Sequence, residues 1–203
     1  MIFTKSRLKR ARRDSLQRGM SYVELIVVLG IFAVITGVAL YNYRGFQYKV
    51  DIKNLGTDIA LKIVEAQKGA LSGRLSTQAF TSKPAYGVYF DLATPTTAKS
   101  FTFFADYNND KIYNDTALET VNITKGNSIS RIDSCSGSTC TSIGTGNLAV
   151  TFKRPDTVAY FSLNGALTTS FDSFQIIVSS PSGVQTGTQS TIKVYASGRI
   201  QVN

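Results

Sequence analysis

From Leu25 to Tyr41 the chain reads LIVVLGIFAVITGVALY, with Thr36 the only polar side chain and no charge. At a rise of 1.5 Å per residue such a run covers ~26 Å of helix, close to the ~30 Å hydrocarbon thickness of a bilayer, and Met20 to Val23 can extend it. A single membrane-spanning helix is predicted here. Past Tyr43 the pattern turns amphipathic. Ile52, Leu55, Ile59, Ile63, Ala66 and Ala70 recur at steps of 3, 4, 4, 3 and 4, the repeat of one apolar helix face, with Lys53, Asp58, Lys62, Glu65 and Lys68 around it. One helix from about Ser21 to Leu71 accommodates both patterns and stops at the cap signal Ser72-Gly73. Gly56 and Gly69 oppose it locally, each by ~1 kcal/mol relative to alanine.

Beyond Gly73 the period changes. Runs at 86–90, 101–105, 148–153, 158–163, 174–179, 192–196 and 199–202 are rich in Val, Ile, Phe and Tyr and are separated by turn residues. The last two are joined through Ser197-Gly198, a tight hairpin signal. Positions 94–97 and 139–147 read as loops, being small and polar with glycine or proline. The expected fold class is α+β, with an antiparallel sheet wrapped on the second half of the helix.

Charge adds a direction to the apolar run. Residues 1–19 hold seven Lys and Arg against Asp14 alone, leaving fifteen basic and twelve acidic residues for the rest of a chain of net charge +9. A basic tail immediately before a membrane helix stays in the cytoplasm, so everything after Tyr41 is expected on the far side. The composition, 43% hydrophobic and 17% charged with four prolines, is that of a globular protein. Histidine is absent, which excludes serine–histidine triads, cysteine–histidine dyads and histidine–zinc sites. Nothing at a suitable spacing supports a serine–lysine or paired-acid hydrolase either, and no enzymatic activity or required cofactor is expected.

The apolar segment admits three readings: a permanent signal anchor, a secretory signal cut near Gly37-Val38-Ala39, or a processed assembly helix. Only the third accounts for Glu24, because a carboxylate at the start of a membrane helix costs ~2.5–3.5 kcal/mol on insertion scales. The run Arg18-Gly19-Met20-Ser21-Tyr22-Val23-Glu24-Leu25-Ile26 resembles the processing site of type IV prepilins and type II secretion pseudopilins. That resemblance implies cleavage between Gly19 and Met20 by a prepilin peptidase, N-methylation of Met20, and a role for Glu24, fifth in the mature chain, in assembly. Met20 stands where phenylalanine is commonest in the family. No proline falls between Met20 and Lys83, so the kink that many major pilins carry in this helix is not expected. The head is similar to GspH/FimT-type pseudopilins at Tyr86-Gly87-Val88-Tyr89-Phe90, at Phe101-Thr102-Phe103-Phe104-Ala105-Asp106, and at Ile192-Lys193-Val194-Tyr195 followed by Gly198-Arg199-Ile200.

The resemblance divides the chain into a basic leader 1–19, a transmembrane and filament-core helix 20–43, an amphipathic continuation 44–73 and a β-rich head 74–203, a pilin fold. It implies a structural subunit of a type IV pilus or type II secretion pseudopilus. Such a subunit sits first as a single-pass protein of the cytoplasmic membrane, with its head outside, and then in a periplasmic or extracellular filament. The implied partners are the peptidase, an inner-membrane assembly platform, other pilin subunits and the membrane itself.

Three side-chain sets in the head carry candidate chemistry. Asp106, Asn108 and Asp110 place oxygens at alternate positions, as a calcium loop does, with Asp115 or Glu119 to stand in for the bidentate glutamate. Lys111 and Ala117 break the EF-hand pattern, and a solvated turn rich in Asp and Asn is the competing reading. Cys135 and Cys140, the only cysteines, lie on the oxidising side of the predicted membrane helix and are expected to form a local disulfide, two free thiols being the alternative where that compartment does not oxidise them. Closing so small a loop contributes roughly 2 kcal/mol in the chain-entropy model. Lys153, Arg154, Lys193 and Arg199 are candidates for a basic patch. Some pilin-like proteins of DNA-uptake machines end in Gly-Arg-x-Arg, whereas here Gly198-Arg199-Ile200-Gln201 lacks the second arginine. Solvated surface is the favoured reading, and a DNA-binding minor pilin is the alternative.

Overall fold

The computed structural model describes residues 19–73, 83–115, 117–181 and 188–203. The basic segment 1–18 lies outside the described residues, and so does 74–82. Among the described residues one α-helix, α1 (Tyr22–Ser72), is followed by eleven strands, with a 3-10 turn at Thr97–Lys99 before the second: β1 (Ala85–Asp91), β2 (Ser100–Asp106), β3 (Ala117–Asn122), β4 (Ser128–Ser136), β5 (Thr139–Ser142), β6 (Asn147–Phe152), β7 (Ala159–Leu163), β8 (Ala166–Thr168), β9 (Ser173–Ser179), β10 (Gln189–Tyr195) and β11 (Ile200–Val202). The chain divides into two compact units after Asn42.

In the first unit the helix is apolar from Leu25 to Tyr41 but for Thr36. Phe32, Ile35 and Leu40 are 67%, 62% and 62% exposed, and the remaining large apolar side chains from Val23 to Tyr41 are exposed with them. Among the described residues, α1 is the one helix long and apolar enough to cross a membrane.

In the second unit α1 lies on the strands and buries the face that the periodicity predicted. Ile52, Ile59, Ile63, Ala66 and Ala70 are fully buried, and Leu55 packs against them from a half-buried position. The helix stops where expected: Gly73 takes a left-handed φ of 62°, open to glycine at no steric cost, and its amide donates to the carbonyl of Ala70 at 3.1 Å.

The strands form two antiparallel sheets where the pattern suggested one. Their orders are β3-β2-β1-β6-β7-β8 and β11-β10-β9-β4-β5. Each strand predicted from the hydrophobic runs is present to within a few residues. Alternation within them builds the core: Tyr86, Val88 and Phe90 of β1, Phe101 and Phe103 of β2, and Ile176 and Val178 of β9 join the helix residues in one apolar cluster. The loop expected over 139–147 is corrected in its first part. Thr139–Ser142 is a strand, β5, paired with β4 in register Cys135↔Cys140, because its small polar residues need only backbone bonds to hold an exposed edge.

Candidate functional site

Gly19 and Met20 precede the helix in exposed backbone, with Met20 66% exposed, and Glu24 sits in the first turn of α1. In the head, Cys135 of β4 and Cys140 of β5 stand directly opposite each other and are joined as a disulfide, with their Cα atoms 4.1 Å apart. The turn between them is pinned from outside the hairpin, since the Gly137 amide donates to Asp172 Oδ2 at 2.6 Å.

The segment from Asp106 to Asp115 leaves the end of β2 and folds over the outer face of the first sheet. Residues 101, 103 and 105 point to the core, so Phe104 and Asp106 point the other way, yet both are fully buried. The loop covers them. Tyr113 stacks on Tyr89 at a centroid distance of 4.2 Å and meets Phe104 edge-on at 5.0 Å. Lys111 accepts a hydrogen bond at its carbonyl from Thr151 Oγ1, and its ammonium lies 4.0 Å from the centre of the Tyr160 ring. This aromatic clamp was not foreseen from the sequence; its one signal was a second aromatic set, Tyr89 and Phe104, on the wrong phase for the core.

Inside the loop, Asp106 Oδ2 accepts from the Lys111 amide at 2.8 Å, while Oδ1 is buried and makes no hydrogen bond. Asn108 Oδ1 accepts from the Asp110 amide, and Asp110 Oδ1 accepts from the Ile112 amide, each at 2.9 Å. Asp110 Oδ2 receives the side-chain amides of Asn108 and Asn114 at 3.0 and 2.6 Å. Asp115 Oδ2 accepts from the amide of Tyr107 at 2.7 Å and thereby closes the loop on itself. Burial raises the Asp106 carboxyl above the usual carboxylate range, against the amides of Lys111 and Asn109, and the charges of Asp110 and Asp115 add to the rise. Exposed Asp110 moves the other way: the small cost of its burial is outweighed by the donors from Ile112, Asn114 and Asn108. Asp106, Asn108 and Asp110 thus share one loop as the spacing suggested, with Asp115 as its fastener. Among the described residues no three Asp, Glu, His or Cys side chains gather closely enough to hold an ion by themselves.

The basic residues separate. Lys193 and Arg199 flank the Tyr195 ring, at 5.1 and 3.9 Å from its centre, whereas Arg154 lies beside Gly73 at the end of α1. A further ionic link went unseen because β3 was not expected: Lys62 of α1 donates to Glu119 at 2.7 Å and to Glu65 at 3.0 Å.

No protein-family model, curated protein or solved structure matches this chain.

Proposed function

We propose that the chain is the precursor of a pilin-like structural subunit, with a pilin fold, that assembles into a helical filament after its leader is removed. The observation that carries this reading is one helix of 51 residues whose first part exposes a long apolar run after Glu24 and whose second part is held in an antiparallel head. An apolar surface of that extent needs a covering, which a bilayer supplies before assembly and neighbouring helices supply afterwards. Repetition of a head-to-tail helix contact gives an open filament. In this reading the protein catalyses nothing. Its partners are a peptidase that cuts after Gly19, an inner-membrane platform and other subunits, and its head stands outside the cytoplasm.

Intact mass of the mature protein, from cells with an active prepilin peptidase, is expected to show a chain beginning at N-methylated Met20. A chain beginning at Leu40 identifies ordinary signal cleavage and overturns the reading. The DNA-binding alternative draws on the Lys193–Tyr195–Arg199 cluster, since cations on an aromatic face suit a phosphate backbone with stacked bases. A salt-sensitive electrophoretic shift that is lost in Arg199→Ala would favour it.

A further inference from the structure

On the outer face of the first sheet one row of side chains crosses the strands as Thr120, Thr102, Tyr89, Ala149, Ser162 and Leu167. Height along such a row follows side-chain size, so the two smallest neighbours, Ala149 and Ser162, leave a trough beside Tyr89. Tyr113, stacked on Tyr89, builds up one wall, and the turn between β7 and β8 builds the other. That turn is the two residues Asn164 and Gly165, with left-handed φ angles of 52° and 77°. The cleft so formed has a volume of about 170 Å³. Ser162 in it is only 2% exposed, yet its hydroxyl makes no hydrogen bond to a described residue. The side-chain amide of Asn147 and the hydroxyls of Tyr89 and Tyr113, which also line the cleft, make none either. Asn164 Oδ1 accepts from the Asn147 backbone amide at 3.0 Å, which commits that oxygen and leaves the NH2 group as a donor at the rim. A floor that served packing alone has no need of Ser162: alanine fills the same place without a polar atom to satisfy.

The geometry points to a binding site for one neutral pyranose ring. The rings of Tyr89 and Tyr113 and the methyl group of Ala149 meet its apolar C–H face, while Ser162, Asn147 and Asn164 exchange hydrogen bonds with its hydroxyls. No charged side chain lines the cleft, so a phosphate, a carboxylate or an ammonium group finds no counter-charge there. A wholly apolar ligand would leave Ser162 and the two amides unpaired. Hydroxyl and amide side chains each combine donor and acceptor capacity, and that mixture matches the hydroxyls of a sugar. The volume falls below the ~300–1,000 Å³ of pockets for drug-sized ligands, which limits the occupant to a single small ring. All of these residues lie in the head, so the site does not depend on the filament reading.

The test uses the full-length chain in a detergent without a sugar headgroup. Saturation-transfer NMR from the protein is read on D-glucose, D-galactose and N-acetyl-D-glucosamine, with sorbitol as an acyclic control. At least one of the three sugars is expected to take up saturation with a dissociation constant of about 1–10 mM, as suits one small ring with few hydrogen bonds, and sorbitol to take up far less. Ser162→Ala should weaken binding roughly 2–10-fold, the loss of one hydrogen bond, and should melt no lower than wild type because no bond within the protein is removed. Ala149→Leu fills the trough and should abolish transfer. Asn164→Gly keeps the left-handed turn and removes the rim amide, so it should weaken binding as well, and it serves where Ala149→Leu does not fold. No transfer to any of the three sugars at about 50 mM, several times the weak end of the expected range, overturns the site. Equal dissociation constants in wild type, Ser162→Ala and Asn164→Gly overturn it too, as does transfer to sorbitol equal to that on the rings.

Discussion

Gly56 illustrates how a single residue can look like a flaw along the chain and be a requirement in space. In an isolated helix, replacing it with alanine gains ~1 kcal/mol. In the folded head a Cβ at this position would stand 2.5 Å from Oγ and 3.1 Å from Cβ of Ser190, in a place where Ser190 is buried and donates to the Asn203 carbonyl at 3.1 Å. Gly56→Ala is therefore expected to destabilise the protein by ~1–3 kcal/mol, the cost of overpacking, in urea unfolding of the full-length chain. Ser190→Gly in the same chain should recover part of that loss, so the two changes should be non-additive. A stabilising Gly56→Ala would show that helix and sheet do not approach so closely. The apolar face of α1 was legible because a 3.6-residue repeat is written in local sequence. The reason for a glycine on it was not, since it lies on a strand 134 residues away.

Among elements, the strands legible in the sequence are those whose apolar residues alternate or run together, such as β1, β2, β6 and β9. The strands that escaped, β3, β4, β5 and β8, are polar or short. Ala117–Asn122 exposes nearly every side chain, and Ser128–Ser136 buries serine and aspartate among its apolar residues. Such strands are placed by partners distant in sequence, and the division into two sheets follows from β4 pairing with β9. Edge strand β3 is tied to α1 by Lys62 and Glu119, and this tie has a pH signature. The hydrogen bond to Glu119 raises the Lys62 pKa against the opposing effect of burial, and Glu65 raises it further. Because the folded value exceeds the unfolded value of about 10.4, the contribution is complete below that pH and is lost as pH rises through the folded value. Glu119 is half-exposed, so the pair is worth about 0.2–1 kcal/mol. Lys62→Met, which keeps an unbranched apolar stem and removes the ammonium 5.7 Å from the centre of the Phe103 ring, should lose that amount near pH 7, and its difference from wild type should shrink toward zero above the folded value. A difference independent of pH would assign the effect to packing instead. The loop between β2 and β3 was half legible in the same sense: the oxygen spacing is in the sequence, but the contacts of Tyr113 with Tyr89 and Phe104, which lay the loop on the sheet, are not.

At the scale of the whole molecule, the proposed filament turns on Glu24. A helix that served only as an anchor would be improved or unchanged by removing a carboxylate from its membrane end, since that group opposes insertion by ~2.5–3.5 kcal/mol. In a filament the same carboxylate compensates the positive amine of Met20, in its own or a neighbouring subunit, inside a core of low dielectric where a lone charge is heavily penalised. The two roles predict opposite results for one substitution. Glu24→Ala is expected to be cut normally and to accumulate in the membrane, yet to be missing from filaments sheared off the cell surface. Glu24→Gln keeps the size and hydrogen-bonding capacity and removes the charge, so it should fail in the same way if compensation of the amine is what assembly needs. Wild-type amounts of both variants in the sheared fraction would show that the carboxylate takes no part in assembly and would leave α1 as an anchor.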